Sequence, residues 1–243
     1  MTLIDLSHVI EDGMVTYKGL PAPHVCDFLS REDSRAHYEP GTEFQIGRIE
    51  MVGNTGTYLD TPFHRYADGE DLADVGLERL VDLPGIVVRA EGRNAVDADA
   101  FEGLDVAGKA VLVHTGWSRH WRTADYYEGH PFLTAAAADR LVEGGAKLVG
   151  IDSHNIDDTA GRTRPVHSRL LGAGVLIVEH MCALERLPDG PFRFFAAPPK
   201  VKGFGTFPVR AFAQVAARIS SAHPRESGDP VLSNERRRFR TTG

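Results

Sequence analysis

The segment Asn54-Thr55-Gly56-Thr57-Tyr58-Leu59-Asp60-Thr61-Pro62-Phe63-His64 holds the side chains best placed to do chemistry. Asp60 and His64 stand four residues apart. A carboxylate and an imidazole at that spacing can share a metal ion or work as an acid/base pair. A Gly-Thr turn precedes them. In an extended chain Tyr58, Asp60 and Pro62 then fall on one side. Pro62 fixes the backbone ahead of His64. Each residue also has an ordinary use. An Asp beside a turn is commonly a turn or cap residue, and a lone His is more often structural than catalytic.

Two further stretches carry polar groups at the ends of apolar runs. His167 lies in a short helical segment, and Glu179 follows Val175-Leu176-Ile177-Val178. An acid directly after four apolar residues is costly to bury unless paired or bound to a cation. The plainer reading is that Glu179 marks where a strand meets water. Gly150-Ile151-Asp152-Ser153-His154-Asn155-Ile156-Asp157-Asp158 also follows an apolar run. Loops at strand ends are common places for function. Asp152 and His154 are therefore candidate site-loop residues, while Asp157 and Asp158 read equally well as turn residues.

These groups need elements to hold them. Leu3 to Ile10 and Phe44 to Val52 read as strands, the second with a slip near Gly47 that suggests a bulge. Gly85–Ala90, Ala110–His114, Leu148–Ile151 and Val175–Val178 read as buried strands. Thr134 caps a helix over Ala135–Val142 that Gly144-Gly145 stops. Pro165 starts a short helix that ends near Leu171. Helix-then-strand units at 134–151 and 165–178 predict an α/β sheet with helices packed on it.

The chain has 243 residues, 42% apolar and 25% charged, with a net charge of -7. That suits a globular protein with one large core and argues against a general nucleic-acid binder. Residues 1 to about 220 read as one domain, whereas 221–243 lack an apolar period and read as a disordered tail. The tail's Arg236-Arg237-Arg238 is expected to be solvated rather than a nucleic-acid contact. Only Cys26 and Cys182 are present, too few for a disulfide framework. The opening residues have no basic start or long apolar run, and no stretch approaches the ~20 apolar residues of a membrane span. A cytoplasmic protein with no membrane partner is expected.

Taken in order, the motifs resemble the cyclase family of kynurenine-formamidase-like, metal-dependent hydrolases. Its signature reads His-x-Gly-Thr-His-x-Asp-x-Pro-x-His. The chain keeps Gly56, Thr57, Asp60, Pro62 and His64 in register. Ile4-Asp5-Leu6-Ser7-His8, the Gly150-Ile151-Asp152 loop, Leu170-Leu171-Gly172, His167 and Glu179 also fall where the family would place them. The resemblance covers roughly residues 3 to 215. It implies a single α/β domain with a mixed central sheet flanked by helices, of the swivelling β/β/α type. It implies Asp60, His167 and Glu179 as metal ligands and His64 as the general acid/base. The family's first two signature histidines, both metal ligands, are here Asn54 and Tyr58.

The reaction implied by the resemblance is hydrolysis of an amide or lactone carbonyl, with N-formylkynurenine as the type substrate. One divalent ion, zinc or manganese, is expected on the remaining ligands, and a metal-free form is the alternative. Tyr58 or Asn54 could donate to the oxyanion. Aromatic residues such as Tyr17, Phe28, Phe63, Trp117, Trp121 and Phe204 are candidates for walls around a flat small-molecule substrate, with Phe207 beside them. Lys200 and Lys202 could meet a carboxylate, although solvated lysines are the plainer reading. The family implies a homodimer or homotetramer. The rival reading is a non-catalytic small-molecule-binding protein whose metal site has decayed.

Overall fold

In the computed structural model, residues 1–216 are described, and alternating burial explains their arrangement. In chain order the strands begin with β1 (Thr2–Asp5), β2 (His24–Leu29), β3 (Ile46–Glu50) and β4 (Tyr58–Asp60). Next come β5 (Leu83–Arg89), β6 (Ala95–Val96), β7 (Ala110–His114), β8 (Phe132–Leu133) and β9 (Leu148–Ile151). The last are β10 (Leu176–Glu179), β11 (Phe192–Phe195), β12 (Thr206–Pro208) and β13 (Phe212–Val215). The α-helices are α1 (Arg31–Ser34), α2 (Ala135–Glu143) and α3 (Pro165–Gly172).

Nine strands form one sheet in the order β1-β13-β11-β5-β7-β9-β10-β4-β12. The middle strands β5, β7, β9 and β10 run parallel. They are the near-continuous apolar runs of the sequence, as expected for strands covered on both faces. Antiparallel strands extend the sheet on both sides. The α/β sheet expected from the helix-then-strand units is therefore present, and it is mixed, as the family resemblance implies. The two helices α2 and α3 lie in the connections into β9 and β10. Thr134 caps α2 by accepting the Ala137 N–H at 3.1 Å.

Two cores flank the sheet. Val111, Val113, Val149, Ile151 and Ile177 pack against α2 and α3 through Leu141, Val166 and Leu170. The alternate residues Ala110, Leu112, Leu148, Leu176 and Val178 pack on the other face, with Leu59, Met181 and Phe194. Each fully buried Leu, Val or Ile contributes about 1.5–3 kcal/mol, so the strand alternation is held firmly.

Three local expectations are corrected. The first strand stops at Asp5, and Ser7 makes only an isolated bridge to Met181. The bulge expected near Gly47 belongs to the opposing strand, where the register shifts between Asp27 and Leu29. Glu179 does not mark the meeting of a strand with water, since it is 1% exposed. The tail at 221–243 lies outside the described residues. No helix among the described residues is long and apolar enough to cross a membrane.

Candidate active site

Strand register decides which side chains meet. In the β4–β10 pair, Tyr58 lies opposite Glu179 and Asp60 opposite Ile177. In the β4–β12 pair, Thr206 lies opposite Asp60. Ile177 points into the core under the helices, while Leu59 and Val178 point into the other. By alternation Tyr58, Asp60, Glu179 and Thr206 all project on the helix side. Helix α3 starts there, and its first turn delivers His167.

His64 arrives by a different route. Gly56 turns the chain into β4 with φ +65°, a conformation that favours glycine. After β4 a single 3₁₀ turn spans Pro62–His64. Thr61 N–H donates to the Gly205 carbonyl at 2.8 Å. A Cβ on Gly205 would stand 2.2 Å from the His64 backbone nitrogen. Glycine at 205 thus lets the backbone entering β12 lie directly on the His64 turn.

The side chains converge. His167 Nε2 is 3.7 Å from Asp60 Oδ2 and 3.8 Å from Glu179 Oε1. Its other nitrogen, Nδ1, is 2.7 Å from Asp157 Oδ2. Glu179 Oε1 accepts the Ile156 N–H at 2.6 Å, and Oε2 accepts the Tyr58 hydroxyl at 2.6 Å. Thr206 Oγ1 touches both Asp60 Oδ1 and, at 2.7 Å, His64 Nδ1. Asp60 Oδ2 is buried with no hydrogen-bond partner.

An unpartnered, buried carboxylate oxygen is costly to keep. A cation between it and His167 would remove that cost. Asp60, His64 and His167 each offer a ligand atom, all within 4.8 Å of one another. Burial alone would lower the pKa of His167. The Glu179 charge, the hydrogen bond to Asp157 and the nearby Asp60 carboxylate more than offset that and hold it at about 10. The same negative surroundings favour a divalent ion, so the donor set fits a metal cofactor.

A cleft of about 280 Å³ opens over these groups, lined by Asn54, Tyr58, His64, His167 and Glu179 together with Tyr17. Arg65 and Arg164 also line it. Asp60 lies behind it, fully buried. The expected set Asp60, His64, His167 and Glu179 is therefore brought together, with Asn54 and Tyr58 beside it. The Tyr58 proton is directed at Glu179, whereas the Asn54 side chain is half-buried at the cleft.

Asp152 and His154 do not reach the cleft. Asp152 follows Ile151 onto the opposite side of the strand. Its oxygens accept the Thr115 N–H, the Thr115 hydroxyl and the Gly116 N–H at 2.6, 2.7 and 2.9 Å. His154 stands behind Tyr17, with ring centroids 4.5 Å apart, and its carbonyl accepts the Tyr17 hydroxyl at 2.9 Å. Of the aromatic wall candidates, Tyr17 lines this cleft. Phe204 borders a neighbouring one with Asn54 and His64. Trp121 instead stacks on His8 at 4.1 Å, and Phe28 is 74% exposed on β2. Lys200 and Lys202 are exposed.

Sequence reasoning missed Thr206 and the two arginines, and left Asp157 open between a site-loop residue and a turn residue. Nothing local distinguishes Thr206. Only the β4–β12 register brings it to Asp60. Asp157 had a faint signal, since it lies in the polar loop that follows a buried strand.

Comparison with known proteins places the chain in a family. A family model described as putative cyclase matches residues 4–158, more than half of the chain. Kynurenine formamidase of Bacillus cereus is 28% identical over 214 residues, covering 86% of this chain and 95% of that protein. The solved structure of a potential metal-dependent hydrolase with cyclase activity is 26% identical, with TM-score 0.72, over 87% of this chain and 96% of that one. Isatin hydrolase A from Labrenzia aggregata shares the fold, with TM-score 0.74 at 21% identity, over 88% of this chain and 93% of that one. The matched segment contains the Gly56–His64 motif that supplies Tyr58, Asp60 and His64, and the chain belongs to the putative cyclase family.

Proposed function

We propose that this protein is a metal-dependent hydrolase that opens an amide or lactone carbonyl bond, with aryl formamides like N-formylkynurenine as its substrate class. One observation carries the proposal. The unpartnered Asp60 Oδ2 faces His167 Nε2 across 3.7 Å, beside the exposed His64 in an open cleft. The 28% identical kynurenine formamidase and the 26% identical metal-dependent hydrolase support it.

Asp60 and His167 would hold one divalent ion, zinc or manganese, with Glu179 as the adjoining carboxylate. Bound there, the ion would polarise the substrate carbonyl and make water more acidic. Asn54 and Tyr58 stand where the family carries two imidazole ligands. Tyr58 turns its proton to Glu179 Oε2 and orients that carboxylate. One ion, rather than two, suits the ligands that remain.

The protein's own groups carry the proton traffic. His64 takes a proton from the attacking water, whose oxygen bonds to the carbonyl carbon. It then delivers that proton to the leaving nitrogen or oxygen as the acyl bond breaks. The half-buried Asn54 amide donates to the oxyanion, an interaction typically worth about 3 kcal/mol of barrier. Tyr17 supplies one wall for a flat substrate. Asp157 keeps the His167 ring in place through Nδ1.

The chain assembles as a homodimer or homotetramer. Exposed Phe28 and Ile49, at 74% and 56%, support self-association through the β2–β3 hairpin. Unpaired Cys26 and Cys182 support a reducing, cytoplasmic setting. Assay of the metal-loaded protein against N-formylkynurenine, a simple formanilide and isatin tests the function. Hydrolysis of at least one is expected. No turnover of any of them overturns the reading.

A further inference from the structure

Thr206 is buried, 5% exposed, and held by backbone on two sides. Gly205 lies against the His64 backbone, and Gly53 lies against the Thr206 carbonyl so closely that a Cβ there would stand 2.4 Å from its oxygen. The pairing of β4 with β12 sets Thr206 directly across from Asp60. Its hydroxyl therefore has little freedom to choose partners. It meets Asp60 Oδ1 on one side and His64 Nδ1 on the other, the latter at 2.7 Å.

Proton counting then fixes the direction of both bonds. A hydroxyl has one proton to give. An ionised carboxylate only accepts, so the Thr206 proton goes to Asp60 Oδ1. The Thr206 oxygen must then accept, and of its two partners only a protonated His64 Nδ1 can donate. In neutral His64 the lone pair consequently lies on Nε2. That nitrogen makes no hydrogen bond among the described residues, and the ring lines the cleft.

We propose that Thr206 is a positioning residue: its hydroxyl links Asp60 to His64 and holds His64 in the Nδ1–H form, with Nε2 free to act as base. The inference rests on the hydrolase reading given above. It also assigns the two oxygens of Asp60 different tasks. Oδ2 faces His167 and would help to hold the cation, and Oδ1 orders the base through Thr206. A competing arrangement has His64 as a third metal ligand beside Asp60 and His167, whose ligand atoms lie within 4.8 Å. Thr206 works against that arrangement. It occupies His64 Nδ1, the nitrogen 3.8 Å from Asp60 Oδ1, and keeps it protonated.

Histidine-selective 15N NMR of the zinc-loaded full chain reads the tautomer directly, with His64 assigned by its loss in His64→Gln. The Nδ1–H form is expected in the parent and in Thr206→Ser, and a shift toward Nε2–H in Thr206→Val. The Nε2–H form in the parent overturns the proposal, as does an unchanged tautomer in Thr206→Val. In kinetics, kcat of Thr206→Val is expected to fall about 10- to 100-fold, the usual cost of losing such a supporting contact. KM and bound zinc should stay within about twofold, and Thr206→Ser should recover most of kcat. Parent-like kcat in Thr206→Val, or zinc lost in step with activity, overturns the proposal. If Thr206→Val does not fold, the parent and Thr206→Ser spectra still decide. If the parent hydrolyses nothing, the functional reading fails, while the tautomer measurement tests the Thr206 assignment separately.

Discussion

Asp157 grips His167 twice: its Oδ2 accepts the backbone N–H at 3.0 Å and stands 2.7 Å from the ring Nδ1. Its Oδ1 accepts the Val166 N–H at 2.7 Å. One carboxylate thus caps the start of α3 and points His167 Nε2 toward Asp60 and Glu179. Asp157→Asn removes the charge and unbalances these donors. Zinc affinity, measured by calorimetric titration, is expected to fall about 10- to 100-fold. Unchanged affinity would show that the second carboxylate does not support a metal site.

His64 lines the cleft but has its Nδ1 taken by Thr206. His64→Ala is expected to lower kcat by about 10²- to 10⁴-fold, the typical contribution of a general acid/base. Bound metal should remain at the parent level. Loss of metal together with activity would make His64 a ligand instead.

Much of this arrangement was legible in the sequence. The four apolar runs became β5, β7, β9 and β10, because a fully covered strand leaves few alternatives to an unbroken apolar segment. Thr134 and Pro165 marked both helix starts correctly. Asp60, His64, His167 and Glu179 were recognisable because their motifs resemble a known family, not because any one of them is locally distinctive. Thr206 was not legible. It acts through a strand register between residues 146 positions apart, which no local pattern records. Asp152 misled for the opposite reason. It follows a buried strand as a site residue would, but alternation turns it to the other side, where Thr115 and Gly116 take its oxygens.

Restoring the family's two imidazoles tests why the donor set is reduced. Tyr58 is fully buried against Glu179, and Asn54 lies at the same cleft. The double variant Asn54→His/Tyr58→His is expected to bind a second equivalent of zinc, counted by mass spectrometry of the desalted protein. Unchanged stoichiometry in a folded double variant would mean that these positions do not control the number of ions.

Acid stability depends on histidines outside the cleft. Burial lowers His8 to about 4 and His154 to about 3, and it lowers His130 and His180 as well. In the unfolded chain these groups titrate near the ordinary value of 6.5. Between those values the unfolded state holds more protons, so stability is fully present above about pH 6.5 and declines as pH falls toward 4. His167 has the opposite sign. Raised to about 10, it stabilises the metal-free protein below its unfolded pKa, and that contribution is lost as pH rises through 10. Tm should therefore be lower at about pH 5 than at about pH 7.5, and His154→Phe should narrow the difference. A flat profile would contradict the burial of neutral imidazoles.

The most direct test joins metal content to turnover. The protein is stripped with chelator, shown by mass spectrometry to be metal-free, and assayed on N-formylkynurenine before and after addition of zinc or manganese. Turnover should vanish on stripping and return as one equivalent per chain is bound, with Asp60→Asn failing to recover. Full turnover by the stripped protein would contradict a cation held between Asp60 and His167.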